Sequence, residues 1–152
     1  MHSRRDFLKT SGGLIGLLAA SGFLGPQAQA EDWNQVAFET KKLEDLVKVL
    51  GGTGAQESTD IAIVAPDIAE NGAVVPIGVV SKLGKTEAIA ILVEKNPNVL
   101  AANFAIPEGT LPDVQTRVKM AQTSNVFALV KADGKFYYAA KEIKITLGGC
   151  GG

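Results

Sequence analysis

The sequence predicts a mainly β protein, an antiparallel β-sandwich preceded by one helix. Three observations carry that reading. From Asp60 onward, short runs rich in Val and Ile are separated by turn residues at roughly regular spacing. Val114, Thr116, Val118 and Met120 alternate with Gln115, Arg117 and Lys119, the period of two of a strand with one wet face. Asn125–Lys131 and Lys135–Lys141 flank Asp133-Gly134, a strong two-residue hairpin signal. A small closed barrel is the alternative architecture.

The chain reads in three parts: residues 1–30, 31–147 and 148–152. Met1 to Ala30 has the form of an export signal. Ser3-Arg4-Arg5-Asp6-Phe7-Leu8-Lys9 carries adjacent arginines, here Arg4 and Arg5, followed by Phe-Leu. The apolar run Leu14 to Leu24 is shorter than the about 20 residues of a membrane-spanning helix. Ala28-Gln29-Ala30 then offers a small-x-small cleavage site. Paired arginines of this kind are a twin-arginine address, which predicts a folded cargo exported to the periplasm.

The helix is expected from Asp32 to Leu50. Trp33, Val36, Ala37, Leu43, Leu46, Val47 and Leu50 recur at spacings of three and four and give one apolar face. Asp32 with Gln35 fits a capping arrangement, and Gly51-Gly52 stops the helix. Gly52–Thr59 reads as a polar linker. Strands are expected at Asp60–Ala65, Ala73–Ser81, Thr86–Lys95 and Ala101–Ile106, then at the four runs from Val114 to Leu147. That makes seven or eight in all. Pro66, Glu70-Asn71-Gly72, Asn96-Pro97-Asn98 and Pro107-Glu108-Gly109 punctuate them. Pro76 lies inside the second run, so that run should be an edge strand or carry a bulge. Asp67, Glu70 and Asn71 are expected to serve a turn. Ile143, Ile145 and Leu147 alternate with Lys144 and Thr146 in the last strand.

Composition excludes several functions. Removing Arg4, Arg5, Lys9 and Asp6 from 15 basic and 16 acidic residues leaves 12 and 15, a net charge of −3. With no basic run, nucleic acid is not an expected partner; with no second apolar run, neither is a membrane after cleavage. The only histidine, His2, lies in the signal. The remaining chain therefore lacks histidine and has one cysteine, Cys150. It can build no internal disulfide, no Cys/His metal cage and no Ser-His-Asp or Cys-His triad. No cofactor is expected.

Cys150 sits between two glycine pairs, Gly148-Gly149 and Gly151-Gly152. Glycine loses most freedom on ordering, so this segment reads as a thin flexible arm rather than a packed element. A lone cysteine outside the reducing cytoplasm suggests intermolecular pairing or a reactive free thiol. At its ordinary pKa only a small part of the thiol ionises near neutrality, and no base is fixed beside it by sequence. Four readings are open on these residues. Cys150 is a covalent carrier of substrate between enzymes; the protein is a thiol enzyme; Gly151-Gly152 is a ubiquitin-like tail; or the cysteine makes an intermolecular disulfide on a structural sandwich domain.

The ending Lys144-Ile145-Thr146-Leu147-Gly148-Gly149-Cys150-Gly151-Gly152 closely resembles the SoxY family, the sulfur-compound carrier of bacterial thiosulfate oxidation. Asp67–Gly72 with Val75-Pro76, Asn96-Pro97 and Arg117–Ser124 fit the family too, as does the signal at Arg4-Arg5. The resemblance implies an immunoglobulin-like sandwich and a periplasmic carrier that is not itself an enzyme. It implies that Cys150 holds thiosulfate-derived sulfur covalently, with Gly148, Gly149, Gly151 and Gly152 giving the arm its clearance. The implied partners are a SoxZ-type subunit in a heterodimer, a haem-containing conjugating enzyme, a sulfate-releasing hydrolase and a sulfane-oxidising enzyme. The carrier itself would bind no metal or cofactor.

Overall fold

The computed structural model describes residues 34–146, which fold as an immunoglobulin-like sandwich of antiparallel sheets preceded by helix. The larger sheet runs in the order β1 (Ala55–Glu57), β9 (Lys135–Ile145), β8 (Ser124–Ala132), β5 (Thr86–Val93) and β6 (Leu100–Ala105). The two-residue strand β3 (Ile68–Ala69) joins it through the far end of β9. The smaller sheet is β2 (Ile61–Val64), β4 (Val75–Ser81) and β7 (Asp113–Val118).

Alternation explains the two layers of apolar packing. Along β5, Ile89, Ile91 and Val93 point between the sheets, while Ala90 and Leu92 point to the opposite face. Along β8, Val126, Ala128 and Val130 face inward, and Leu129 faces out. Both strands are therefore buried on both sides, which is why their sequences read as unbroken apolar runs. Ile77, Val79, Met120 and Ile143 complete the core between the sheets. The second cluster lies under the helices, where Ala37, Leu46 and Val47 meet Leu92, Val99 and Phe136.

The helical stretch departs from the single helix expected. It forms α1 (Gln35–Glu39) and α2 (Leu43–Val49), broken at Thr40. Thr40 is extended and buried; its hydroxyl donates to the Ala37 carbonyl at 2.7 Å, and its carbonyl accepts from Val99 N–H at 3.3 Å. Lys41 Nζ donates to the Pro97 carbonyl and to Asn98 Oδ1. The Asn96–Val99 turn thus draws the chain out of helical geometry, and Val36 is left 61% exposed. Asn34, not Asp32, caps α1, accepting from Ala37 N–H at 3.1 Å. Gly51 ends α2 with φ 86°, and Gly52 follows against Phe136, where a Cβ would come within 2.5 Å of the ring.

Three further differences have physical causes. The expected linker contains β1, which pairs parallel with the start of β9; a polar three-residue edge strand leaves no hydrophobic pattern to read. The two last expected strands are one, β9, continuous from Lys135 to Ile145; with β1 and β3 added, the described residues hold nine strands. Pro76 lies in the middle strand of its sheet, not at an edge. The proline is tolerated because β2 ends at Val64 opposite Gly78, so at Pro76 the strand pairs only with Arg117 of β7. The expected signal, with Arg4 and Arg5, and the Gly148–Gly152 segment lie outside the described residues.

Candidate functional site

Cys150 stands four residues beyond Thr146, the last described residue. The site is therefore built from the point where β9 leaves the fold. Ile143 is fully buried in the core and lies opposite Ser124 of β8. After it, β9 is held from both sides. On one side β3 pairs parallel with it, Ile68 beside Lys144 and Ala69 beside Ile145. Lys144 N–H donates to the Asp67 carbonyl at 2.9 Å, and Thr146 N–H to the Ala69 carbonyl at 3.2 Å. The Thr146 hydroxyl adds a bond to the Glu70 carbonyl at 3.1 Å. On the other side Ile145 N–H donates to Thr123 Oγ1 at 2.9 Å, extending the ladder where β8 has already ended.

The strap that carries β3 is itself tied to β9. Lys141 Nζ donates to the Ala65 carbonyl at 2.6 Å and pairs with the Asp67 carboxylate at 3.0 Å. The strap then closes in a turn: Asn71 Oδ1 accepts from Ala73 N–H at 2.8 Å, and the Gly72 carbonyl accepts from Met120 N–H at 2.7 Å. Thr123 is positioned by the loop after β7. Asn96 Nδ2 donates to the Lys119 carbonyl at 2.6 Å, and Asn96 Oδ1 accepts from Ala121 N–H at 3.0 Å. Ser124, buried, accepts from Lys95 N–H at 3.0 Å.

These bonds bring together stretches that are far apart in sequence. Asp67–Gly72, Asn96 and Lys119–Ser124 all meet at the last turns of β9. Glu70 and Asn71 lead into the turn after β3 as expected, whereas Asp67 lies before β3 and outside that turn; Asp67 and Glu70 hold β9 and Thr146 through backbone carbonyls. Sequence reasoning did not single out Thr146, Thr123, Lys141 or the side chain of Asn96. A threonine after an alternating strand and a lysine within one are ordinary residues; only their long-range partners mark them.

The root of the terminal segment is equipped to hold rather than to react. Its bonds are backbone and hydroxyl contacts that fix a strand end. Among the described residues no group of three or more His, Cys, Asp or Glu is placed to hold a metal ion. Among the described residues one acid is shifted, at the opposite end of β9: Glu87 is held below its ordinary value by its hydrogen bond with Lys131 and by the Gly134 N–H. Among the described residues no helix is long and apolar enough to cross a membrane.

Comparison with known proteins bears on this geometry. The family described as "Sulfur oxidation protein SoxY" matches residues 46–150, a span that takes in the whole strap, β9 and Cys150. Among solved structures, the sulfur carrier protein SoxY from Chlorobium limicola f thiosulfatophilum is 38% identical, with a TM-score of 0.62 over 68% of this chain and 94% of that one. Superoxide reductase (neelaredoxin) from Ignicoccus hospitalis is 22% identical, with a TM-score of 0.49 over 56% of this chain and 79% of that one. No curated protein sequence matches the chain.

Proposed function

The chain belongs to the SoxY family of sulfur oxidation proteins, and from that premise we propose that it is a periplasmic sulfur carrier with Cys150 as the covalent attachment point. One observation carries the reading: the fold grips β9 from both sides as far as Thr146, four residues before a cysteine bracketed by glycines. A fixed root and a bare backbone beyond it suit a thiol that must enter clefts on other proteins. Gly148, Gly149, Gly151 and Gly152 leave no side chain to clash there. Tethering also turns each later step into the docking of one protein surface.

The chemistry balances without any group on this chain beyond the thiol. Loading joins the Cys150 sulfur to the outer sulfur of thiosulfate. One proton and two electrons leave, the electrons passing to a haem-containing conjugating enzyme. A hydrolase then adds water to the terminal sulfonate. Sulfate and two protons depart, and a persulfide anion stays on Cys150. A sulfane-oxidising enzyme acts on that remaining sulfur. The chain works as a heterodimer with a SoxZ-type subunit and reaches the periplasm folded, through the twin-arginine signal at Arg4-Arg5.

The test is loading in vitro with thiosulfate, the haem-containing conjugating enzyme and an electron acceptor, read by intact mass. One thiosulfate adduct, released by reductant and absent from Cys150→Ser, is expected. Since Cys150 follows the end of β9 by five residues in sequence, the same substitution is expected to leave the melting temperature unchanged. An equal adduct on Cys150→Ser, or none on the unaltered protein, would overturn the carrier reading.

A further inference from the structure

Beyond Val64 the chain leaves the smaller sheet for the larger one, and a groove opens where β2 no longer covers β4. Its volume is about 670 Å³. Val64 and Pro66 line it on one side, Gln115 and Arg117 of β7 on the other, with Pro76 and Gly78 of β4 between them. Gly78 keeps the middle low: a Cβ there would meet Val64 Cβ at 3.4 Å and Gln115 Cγ at 3.5 Å. Arg117 is the only arginine after residue 5. The four ion pairs of the described residues all use lysine. Arg117, exposed on β7, has no side-chain partner among the described residues. Among those residues no acid lines the groove, so its charge is one unopposed guanidinium. That planar fork of donors matches two oxygens of a tetrahedral oxyanion, as a lysine's point charge does not.

We propose that this groove receives residues 147–152 of the same chain once Cys150 is loaded, with Arg117 paired to the sulfonate of the adduct. The proposal rests on the carrier reading of Cys150. Reach and charge commit the groove to this occupant. Pro66 lies one residue before Asp67, whose carbonyl accepts from Lys144 N–H at 2.9 Å, and Lys144 precedes Thr146 by two residues. Followed through those bonded neighbours, Thr146 stands within roughly 17 Å of Pro66. Cys150 lies four residues beyond Thr146, about 14 Å at full extension. The thiosulfate adduct carries its sulfonate one sulfur atom past the thiol's own, and the Arg117 side chain extends to meet it.

Charge makes the contact depend on loading. A cysteine thiol is largely neutral near pH 7 and gains nothing from a guanidinium. Loading adds a negative charge at the tip, so the two states differ in their affinity for the groove, which is what a change of position requires. An exposed ion pair is weak by itself, but a short tether presents the anion at a roughly millimolar effective concentration. A contact of that strength shelters the adduct between enzymes and still lets each enzyme draw it away.

The experiment loads Cys150 without any enzyme. Cys150 is first joined to an aromatic thiol as a mixed disulfide. Sulfite then attacks the Cys150 sulfur, the sulfur–sulfur bond breaks, and the aromatic thiolate leaves, so that Cys150 carries a sulfonate. Nitrogen–proton spectra of the full chain follow the Gly78 amide and the Arg117 Nε–H, the latter identified by its loss in Arg117→Gln. Both signals should shift on loading, and neither when Cys150 is capped with iodoacetamide, which leaves it neutral. In loaded Arg117→Gln the Gly78 shift should fall several-fold. Dilution should leave the shifts unchanged. Unmoved Arg117 and Gly78 signals in protein whose mass shows full loading would overturn the groove, as would equal shifts with the neutral cap. Shifts that fade on dilution would seat a second chain's segment there and overturn the occupant. So would equal shifts when equimolar free thiosulfate is added to the unloaded protein. All of these outcomes leave the carrier reading standing, since that reading falls only if the conjugating enzyme fails to load Cys150.

Discussion

β9 begins at a tight turn and ends in a long-range clamp. At its start, Asp133 and Gly134 adopt φ of 48° and 72° and reverse the chain within two residues. The surrounding contacts are charged and exposed: Lys85 to Asp133 at 3.4 Å, Lys131 to Glu87 at 3.0 Å, and Gly134 N–H to Glu87 at 2.8 Å. At its end, Lys144, Ile145 and Thr146 bond to Asp67, Ala69, Glu70 and Thr123. Those partners lie more than twenty residues away in sequence. The first end closes the fold with local geometry. The second spends distant parts of the chain on holding one strand end still. That investment makes sense where the chain beyond must be presented from a fixed point.

The contrast can be strained from the core outward. Ile143→Ala opens a cavity at a fully buried position beside Ser124, and should destabilise the domain by about 2–5 kcal/mol in denaturant unfolding. A smaller loss would show that the root end collapses around the missing atoms. Thr123→Val removes the acceptor of Ile145 N–H. About 1–3 kcal/mol of stability should go with it, and amide exchange at Ile145 and Thr146 should quicken more than at Lys135. Uniform exchange along β9 would contradict a distinct clamp. Gly134→Ala strains a left-handed position and should cost roughly 1 kcal/mol, with thiosulfate loading untouched. Reduced loading at equal stability would mean that the two ends are not separate in role.

The smallest effect is on pH. Glu87 is held below its ordinary value, first by its hydrogen bond with Lys131 and then by Gly134 N–H. A carboxylate lowered on folding adds stability that is present above its unfolded value and lost as pH falls through the folded one. Glu87→Gln should therefore flatten the acid side of a plot of melting temperature against pH. Because the group is exposed at the turn end, exchange at Thr146 should follow the same pH profile in both proteins.

Local chemistry was legible in the sequence, and distant pairing was not. Asp133-Gly134, the alternation from Val114 to Met120 and the buried runs of β5 and β8 all gave their strands correctly, since each signal lies within a few residues. The sandwich followed from them. Apolar spacing suggested a continuous helix across Thr40, but the break is held by Val99, Pro97 and Asn98, about 56 residues on, and no pattern near Thr40 reports them. β1 and β3 were missed because two- and three-residue strands that pair in parallel with β9 leave no period to detect. At the site, the glycine-flanked Cys150 stood out at once. Thr123 and Thr146 did not, because a threonine hydroxyl becomes a clamp only through what the fold places beside it.

The carrier claim is met most directly by the intact mass of the protein isolated from cells growing on thiosulfate, taken with and without reductant. The account predicts sulfur-containing additions on Cys150 that reductant removes. Cys150 found unmodified, or found only as a disulfide between two chains, would contradict it.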